Sequence, residues 1–432
     1  MPDMKRKTVE VVVKVTERCN INCSYCYVFN KGDEGYKDHP VYMSQETIAA
    51  LGDFLNDAAK SMGATEVIVV FHGGEPLMMK KRRFDQMCKT LQSKIIDVAT
   101  LRFSLQTNAM LIDQEWIDIF DRYQISIGVS LDGPREVNDA QRIDHQGQGT
   151  YDRVVQGLQQ LRQARDEGLI TGFGVLSVAN PALDGRKVYR HFVDDLKLDG
   201  FDFLLPIDPH DGFDTSTVPG YGRFLCEVFD EWSKDDDPTI TVRILNKAMN
   251  GLSETKQNMV GMQDAFAGDH AIFTVASNGD LGPDDTLRTV GAAMFGTYNV
   301  RTSTFMEFMQ SPMQAAIVRA ETTLPDDCQG CAWQNICRGG ASNGRLINRF
   351  KQGAGFNNAS LMCDALQRLY SHVAAYLLKA GFPYEKLRAG LTESDLQWNA
   401  YEQPCDFSRQ GKLYSALARK TIPIAALAVT AD

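Results

Sequence analysis

Apolar residues in the first half of the chain gather into six short runs, at residues 9–16, 66–71, 101–107, 125–131, 172–178 and 201–206. The runs are rich in Val, Ile and Phe and mostly apolar on both faces, as parallel strands covered on both sides are. Longer segments with helical spacing separate them. Tyr151, Val154, Val155, Leu158 and Leu161 recur on one face of an amphipathic helix. Strands alternating with helices predict an α/β fold with a parallel sheet and right-handed crossovers. An open doubly wound sheet and a partial barrel both satisfy this periodicity. In either, chemistry sits at the carboxyl ends of the strands.

From about residue 238 the alternation fades. Residues 272–283 read as a hairpin turning at Asn278-Gly279. A cysteine- and glycine-rich stretch follows at 328–344. After Cys363 a helical stripe returns, carried by Leu366, Leu369, Tyr370, Val373 and Leu377. These shifts predict three regions, at 1–235, 236–370 and 371–432.

Composition narrows the partners. The 432 residues are 44% hydrophobic and 23% charged, which is ordinary for a globular chain. Lys plus Arg number 45 against 55 Asp plus Glu, a formal charge of -10. Nucleic-acid binding needs a clustered basic excess. The runs Lys5-Arg6-Lys7 and Lys80-Lys81-Arg82-Arg83 are too short to supply it. The longest apolar stretch, 422–431, falls short of the ~18 residues that span a bilayer. The apolar run at 9–15 is broken by Glu10 and Lys14, so it does not read as a signal peptide. The expectation is a cytoplasmic protein with neither nucleic acid nor membrane as partner.

In a reducing compartment clustered cysteines point to metal or catalysis rather than disulfides. Seven of the ten cysteines fall in two groups, Cys19, Cys23, Cys26 and Cys328, Cys331, Cys337, Cys363. Cys88, Cys226 and Cys405 stand alone and read as small buried hydrophobes. Three thiolates on a tight loop after the first strand suit an iron–sulfur cube with one iron left open. Zinc with a distant fourth ligand is the alternative. The second group offers four sulfurs, a closed site that suits either zinc or a 4Fe–4S cluster.

The Cys19-x3-Cys23-x2-Cys26 spacing, with Tyr25 before the last cysteine, resembles the signature of radical S-adenosylmethionine (radical SAM) enzymes. Further motifs in order strengthen the resemblance: His72-Gly73-Gly74-Glu75-Pro76, Gln106-Thr107-Asn108, Ser130-Leu131-Asp132-Gly133-Pro134 and Arg142. The resemblance implies a partial (β/α)6 TIM-like barrel, a small α+β SPASM-like auxiliary-cluster domain and a helical C-terminus. It implies that Cys19, Cys23 and Cys26 hold a 4Fe–4S cluster whose open iron binds SAM. Tyr25, Gly73, Gly74, Glu75, Pro76, Asn108, Ser130, Asp132 and Arg142 are then the SAM-binding residues, with Arg142 on the SAM carboxylate. One electron from the cluster cleaves SAM to a 5′-deoxyadenosyl radical, which takes hydrogen from unactivated carbon. An external reductant of flavodoxin or ferredoxin type supplies that electron.

The second cysteine group resembles the SPASM extension and implies one auxiliary 4Fe–4S cluster. A full pattern has further cysteines where this chain has Pro283-Asp284-Asp285 and Ala341. Cys405 is a candidate replacement ligand. Asp285 aligns with the base of sulfatase maturases, so Asp285 and Asp284 are the candidate catalytic residues. The run from Asp280 to Arg288 resembles peptide maturases that form three-residue cyclophanes, of the FxS, Grr and XYE types. These join an aromatic ring carbon to the β-carbon of a residue two positions later in a ribosomally made precursor peptide. The alternatives are a sulfatase maturase, which makes formylglycine from Cys or Ser, and a non-catalytic metal-binding scaffold.

Overall fold

The computed structural model describes residues 7–31, 34–253, 270–291, 294–340 and 344–391. They divide into two compact units, drawn from residues 1–175 with 261–323 and from 176–260 with 324–432.

The first unit alternates strands and helices: β1 (Thr8–Thr16), α1 (Gln45–Met62), β2 (Glu66–Gly73), α2 (Lys81–Ile95), β3 (Thr100–Thr107), α3 (Gln114–Tyr123) and β4 (Ser126–Ser130). α4 (Arg135–Gln141) and α5 (Tyr151–Asp166) follow, then β5 (Phe173–Val178). β1, β2, β3 and β4 pair in parallel in that order. Val9, Val11, Val13 and Val15 of β1 are wholly buried, and Lys14 and Thr16 on its other face are too. Burial on both sides explains why β1 is apolar on both faces apart from Glu10 and Lys14. On α5, Val154, Leu158 and Leu161 are buried as the stripe requires.

β8 (His270–Val275) pairs with β1 in parallel, on the side away from β2. It then turns into antiparallel β9 (Asp280–Gly282), which β10 (Tyr298–Asn299) flanks. The expected hairpin is there, with Gly279 at φ +93° where a side chain would be strained. Its first strand also extends the parallel sheet, which the turn signal alone does not reveal.

The second unit holds α6 (Gly185–Arg190), β6 (Gly200–Leu204), α7 (Val218–Asp235), β7 (Thr241–Val242) and α8 (Arg243–Ser253). β7 runs parallel to β6, so the alternation continues beyond residue 238. Two residues of strand are too few to show a period, which is why the sequence pattern misses it. The helix Cys363–Lys379 packs on α7 and α8 through Leu366, Leu369, Tyr370, Val373 and Leu377, all buried.

Candidate active site

The cysteine loop leaves the carboxyl end of β1 and is braced from two sides. The Gly74 N–H donates to Thr16 O and the Glu75 N–H to Arg18 O, both at 2.9 Å. A Cβ on Gly73 would lie 2.1 Å from Thr16 O, and one on Gly74 2.0 Å from Arg18 O. These glycines therefore let the His72–Pro76 loop touch the backbone that launches the cysteines. On the other side Asn22 N–H donates to Ile143 O at 2.7 Å and Ser24 N–H to Gln141 O at 2.9 Å. Arg142 sits between those two anchors.

Cys19, Cys23 and Cys26 are free thiols. Burial pushes the Cys19 thiol up to about 12 and raises Cys23 as well. Thiolates here call for a strong positive charge such as a metal centre. Among the described residues no three His, Cys, Asp or Glu side chains converge closely enough for a single ion. Three soft sulfur donors on one loop fit an iron–sulfur cluster with one iron left open.

Arg142 is 7% exposed. Its Nη1 donates to the Tyr25 hydroxyl at 2.8 Å, which donates to Asp132 Oδ2 at 2.6 Å. The buried Nε of Arg142 has no protein partner. A buried, unmatched guanidinium donor beside the cysteine loop fits an anionic ligand such as a carboxylate. Asn108 Nδ2 donates to Asn20 Oδ1 of the cysteine loop at 2.8 Å. Ser130 Oγ accepts from Gln106 Nε2 at 2.8 Å.

Glu75 is tied into the sheet ends. Its carboxylate accepts from Leu77 N–H at 3.0 Å, Thr107 Oγ1 at 2.7 Å and Asn108 N–H at 2.7 Å. It thus ties the end of β2 to the end of β3. Burial pushes its carboxyl up to about 7 despite these donors. Pro76 opens the short turn Pro76–Met78 and is buried.

Asp284 and Asp285 follow β9 and differ sharply. Asp284 Oδ1 accepts from Thr286 N–H at 2.9 Å and Thr286 Oγ1 at 2.6 Å, capping the turn Asp285–Val290. Burial, then the neighbouring Asp285 charge, pushes its carboxyl up to about 6. Asp285 Oδ2 accepts from Lys14 Nζ at 2.5 Å and from the Tyr27 hydroxyl. Burial alone would raise Asp285, but the Lys14 ammonium holds it well below the usual carboxylate range. Lys14 faces His72 across β1 and β2, with Nζ 3.3 Å from Nδ1. Nδ1 also accepts from Gly73 N–H at 2.8 Å. Burial, then Lys14, lowers His72 to about 4, so the ring is neutral near pH 7.

Lys14 and Tyr27 are site residues that motif reading missed, and His72 opens a recognised motif without having been counted among the candidate site residues. The signal was a charged residue inside an apolar strand, which burial makes costly unless it is paired. Glu17, also wholly buried, accepts from Ser277 N–H at 2.9 Å and pairs with His39 Nδ1 at 2.8 Å.

In the second unit Cys328, Cys331, Cys337 and Cys363 are free and half-buried. Burial first, then the charges of the neighbouring cysteines, pushes Cys328 up to about 11 and Cys337 up to about 12. Four mutually interacting soft donors fit a closed cluster. Ala341 and Cys405 lie outside the described residues.

Residues 13–178 match the family model of the radical SAM superfamily. This stretch is a radical SAM domain. Beyond it, the chain is 27% identical to the serine-type anaerobic sulfatase-maturating enzyme of Bacteroides thetaiotaomicron, over 86% of this chain and 91% of that enzyme. It is 24% identical to the cysteine-type enzyme of Clostridium perfringens, over 74% of this chain and 85% of that one. The solved structure of native anSMEcpe with bound AdoMet and Cp18Cys peptide superposes with a TM-score of 0.69 at 19% identity, covering 86% of this chain and 98% of that one. That likeness bears out the α/β reading of the radical SAM fold. These two relatives are named as sulfatase-maturating enzymes, so they back the alternative over the crosslinking expectation. No helix among the described residues is long and apolar enough to cross a membrane.

Proposed function

We propose that this radical SAM protein oxidises a side chain of a peptide substrate, with Cys19, Cys23 and Cys26 holding a 4Fe–4S cluster and Arg142 receiving the SAM carboxylate. When bound, cluster and SAM supply one-electron chemistry that takes a hydrogen atom from a substrate carbon. Cys328, Cys331, Cys337 and Cys363 would hold a second cluster, which supplies an electron acceptor. Asp285 is the proton acceptor. The observation that carries this reading is the buried, unmatched Arg142 Nε beside the three-cysteine loop, which suits an anionic ligand next to a cluster. The Lys14 pair keeps Asp285 ionised, at the cost of making it a weak base. The sulfatase-maturating relatives favour Ser or Cys of a protein chain as the target. For Ser, the β-carbon loses a hydrogen atom, then one electron leaves and the hydroxyl proton passes to Asp285, giving an aldehyde.

A second reading, an aromatic-to-β-carbon crosslink, draws on Asp284-Asp285 standing where a full SPASM pattern has cysteine. Its balance is the same: the ring carbon gives up the proton, and two hydrogens are lost in all. We further propose a flavodoxin- or ferredoxin-type electron donor and a cytoplasmic location, where iron-bound thiolates persist.

The test is anaerobic incubation with SAM, reductant and candidate peptides, read by mass spectrometry. A loss of two hydrogens with carbonyl-reagent capture at one residue supports serine oxidation. The same loss without capture, with fragmentation blocked between two residues, supports the crosslink. Cys23→Ala is expected to abolish 5′-deoxyadenosine formation, and Cys331→Ala to stop product while sparing part of it. Absence of 5′-deoxyadenosine from the parent protein would return it to a metal-binding scaffold.

A further inference from the structure

The helix Cys363–Lys379 begins at a cluster ligand and carries Gln367 and Tyr370 four and seven residues on. That spacing puts all three on one helical face. Gln367 Nε2 donates to the Cys363 sulfur at 3.2 Å. Tyr370 is only 7% exposed, and after burial the charge of Cys337 is the largest influence on its hydroxyl. The Arg349 guanidinium, 2% exposed, acts on Cys328 and favours its thiolate. Gln367 thus makes the direct contact, to Cys363, while Tyr370 and the Arg349 cation act on the neighbouring Cys337 and Cys328. Hydrogen bonds and positive charge at thiolate sulfur stabilise the more negative, reduced form of an iron–sulfur cluster.

We propose that Gln367, with Tyr370, raises the reduction potential of the cluster held by Cys328, Cys331, Cys337 and Cys363, fitting it to accept electrons. The inference rests on the cluster assignment made above. Gln367 and Tyr370 are positioning residues that act through the sulfurs. A closed cluster has no open iron for substrate, so its use lies in where its potential is set.

The test is a redox titration followed by electron paramagnetic resonance on the full chain. Cys19, Cys23 and Cys26 are changed to Ala so that only the second cluster gives a signal. Gln367→Leu is expected to move the midpoint to more negative potential with iron content unchanged. Tyr370→Phe, which keeps the ring and its packing, is expected to move it the same way. Unchanged midpoints in both variants overturn the proposal, and so does loss of iron in both, which makes the role structural. Zinc, or no iron, in the starting protein instead refutes the cluster assignment itself.

Discussion

Lys14 and Asp285 lie 271 residues apart in sequence, and a 2.5 Å ion pair joins them. Neither side chain has much access to water, at 0% and 10% exposure. Lys14→Met should therefore cost about 3–5 kcal/mol of folding stability, because it strands a buried carboxylate. Urea unfolding of Lys14→Met beside the Lys14→Met/Asp285→Leu double variant checks this. The double variant should recover much of the loss. Equal losses would mean the pair is solvated. The pair's contribution is complete above the ordinary carboxylate pKa and fades as acid approaches the lowered Asp285 value, so Lys14→Met should also flatten the acid limb of the stability curve.

Asp285→Asn keeps the shape but removes the acceptor. Product formation should fall about 100-fold or more, while 5′-deoxyadenosine is still made. The ratio of the two, measured from pH 5 to 8, separates the neighbouring carboxyls. An Asp285 base gives no inflection in that range. An inflection near 6 would transfer the role to Asp284, whose carboxyl burial pushes up to about 6.

Gly74→Ala places a methyl group 2.0 Å from Arg18 O, a backbone atom that cannot swing away. The cysteine loop must shift, so reconstituted iron at the first site should drop well below that of the parent. A stability cost of about 1–3 kcal/mol is expected as well. Colorimetric iron analysis with thermal melting tests both. Full iron loading would show that the close approach is dispensable.

His39 and Glu17 couple stability to pH in opposite senses. Against burial, the His39 hydrogen bond lowers Glu17, so its contribution is present above 4.5 and lost as pH falls through the lowered value. The Glu17 hydrogen bond raises His39, so its contribution is complete below 6.5 and lost as pH climbs through the raised value. Thermal melts should show the pair strongest between those two values. His39→Gln should remove the alkaline decline and also weaken the acid limb, since His39 helps to lower Glu17.

The strand runs were legible mainly from their Val, Ile and Phe content: β1 is buried on both faces, whereas β3 alternates buried Phe103 and Leu105 with more exposed Arg102, Ser104 and Gln106. The cysteine groups were legible from spacing alone. Lys14 was visible as a charge in an apolar run, but its partner was not, since nothing local links residue 14 to residue 285. The role of Glu75 was hidden for a related reason: its donors Thr107 and Asn108 come from the next strand. Motif order announces a ligand site, whereas the bracing that shapes the site arises only when strands align.

β1 takes β2 as one neighbour and β8 as the other, in register from Thr8 against His270. On the ribosome the first strand thus emerges long before its second flank has been translated. A nascent chain halted ahead of residue 270 leaves that edge bare and keeps the Lys14 ammonium without its counter-ion. Both liabilities, the open strand edge and the unmatched buried cation, are removed together by the one segment that carries β8 and Asp285.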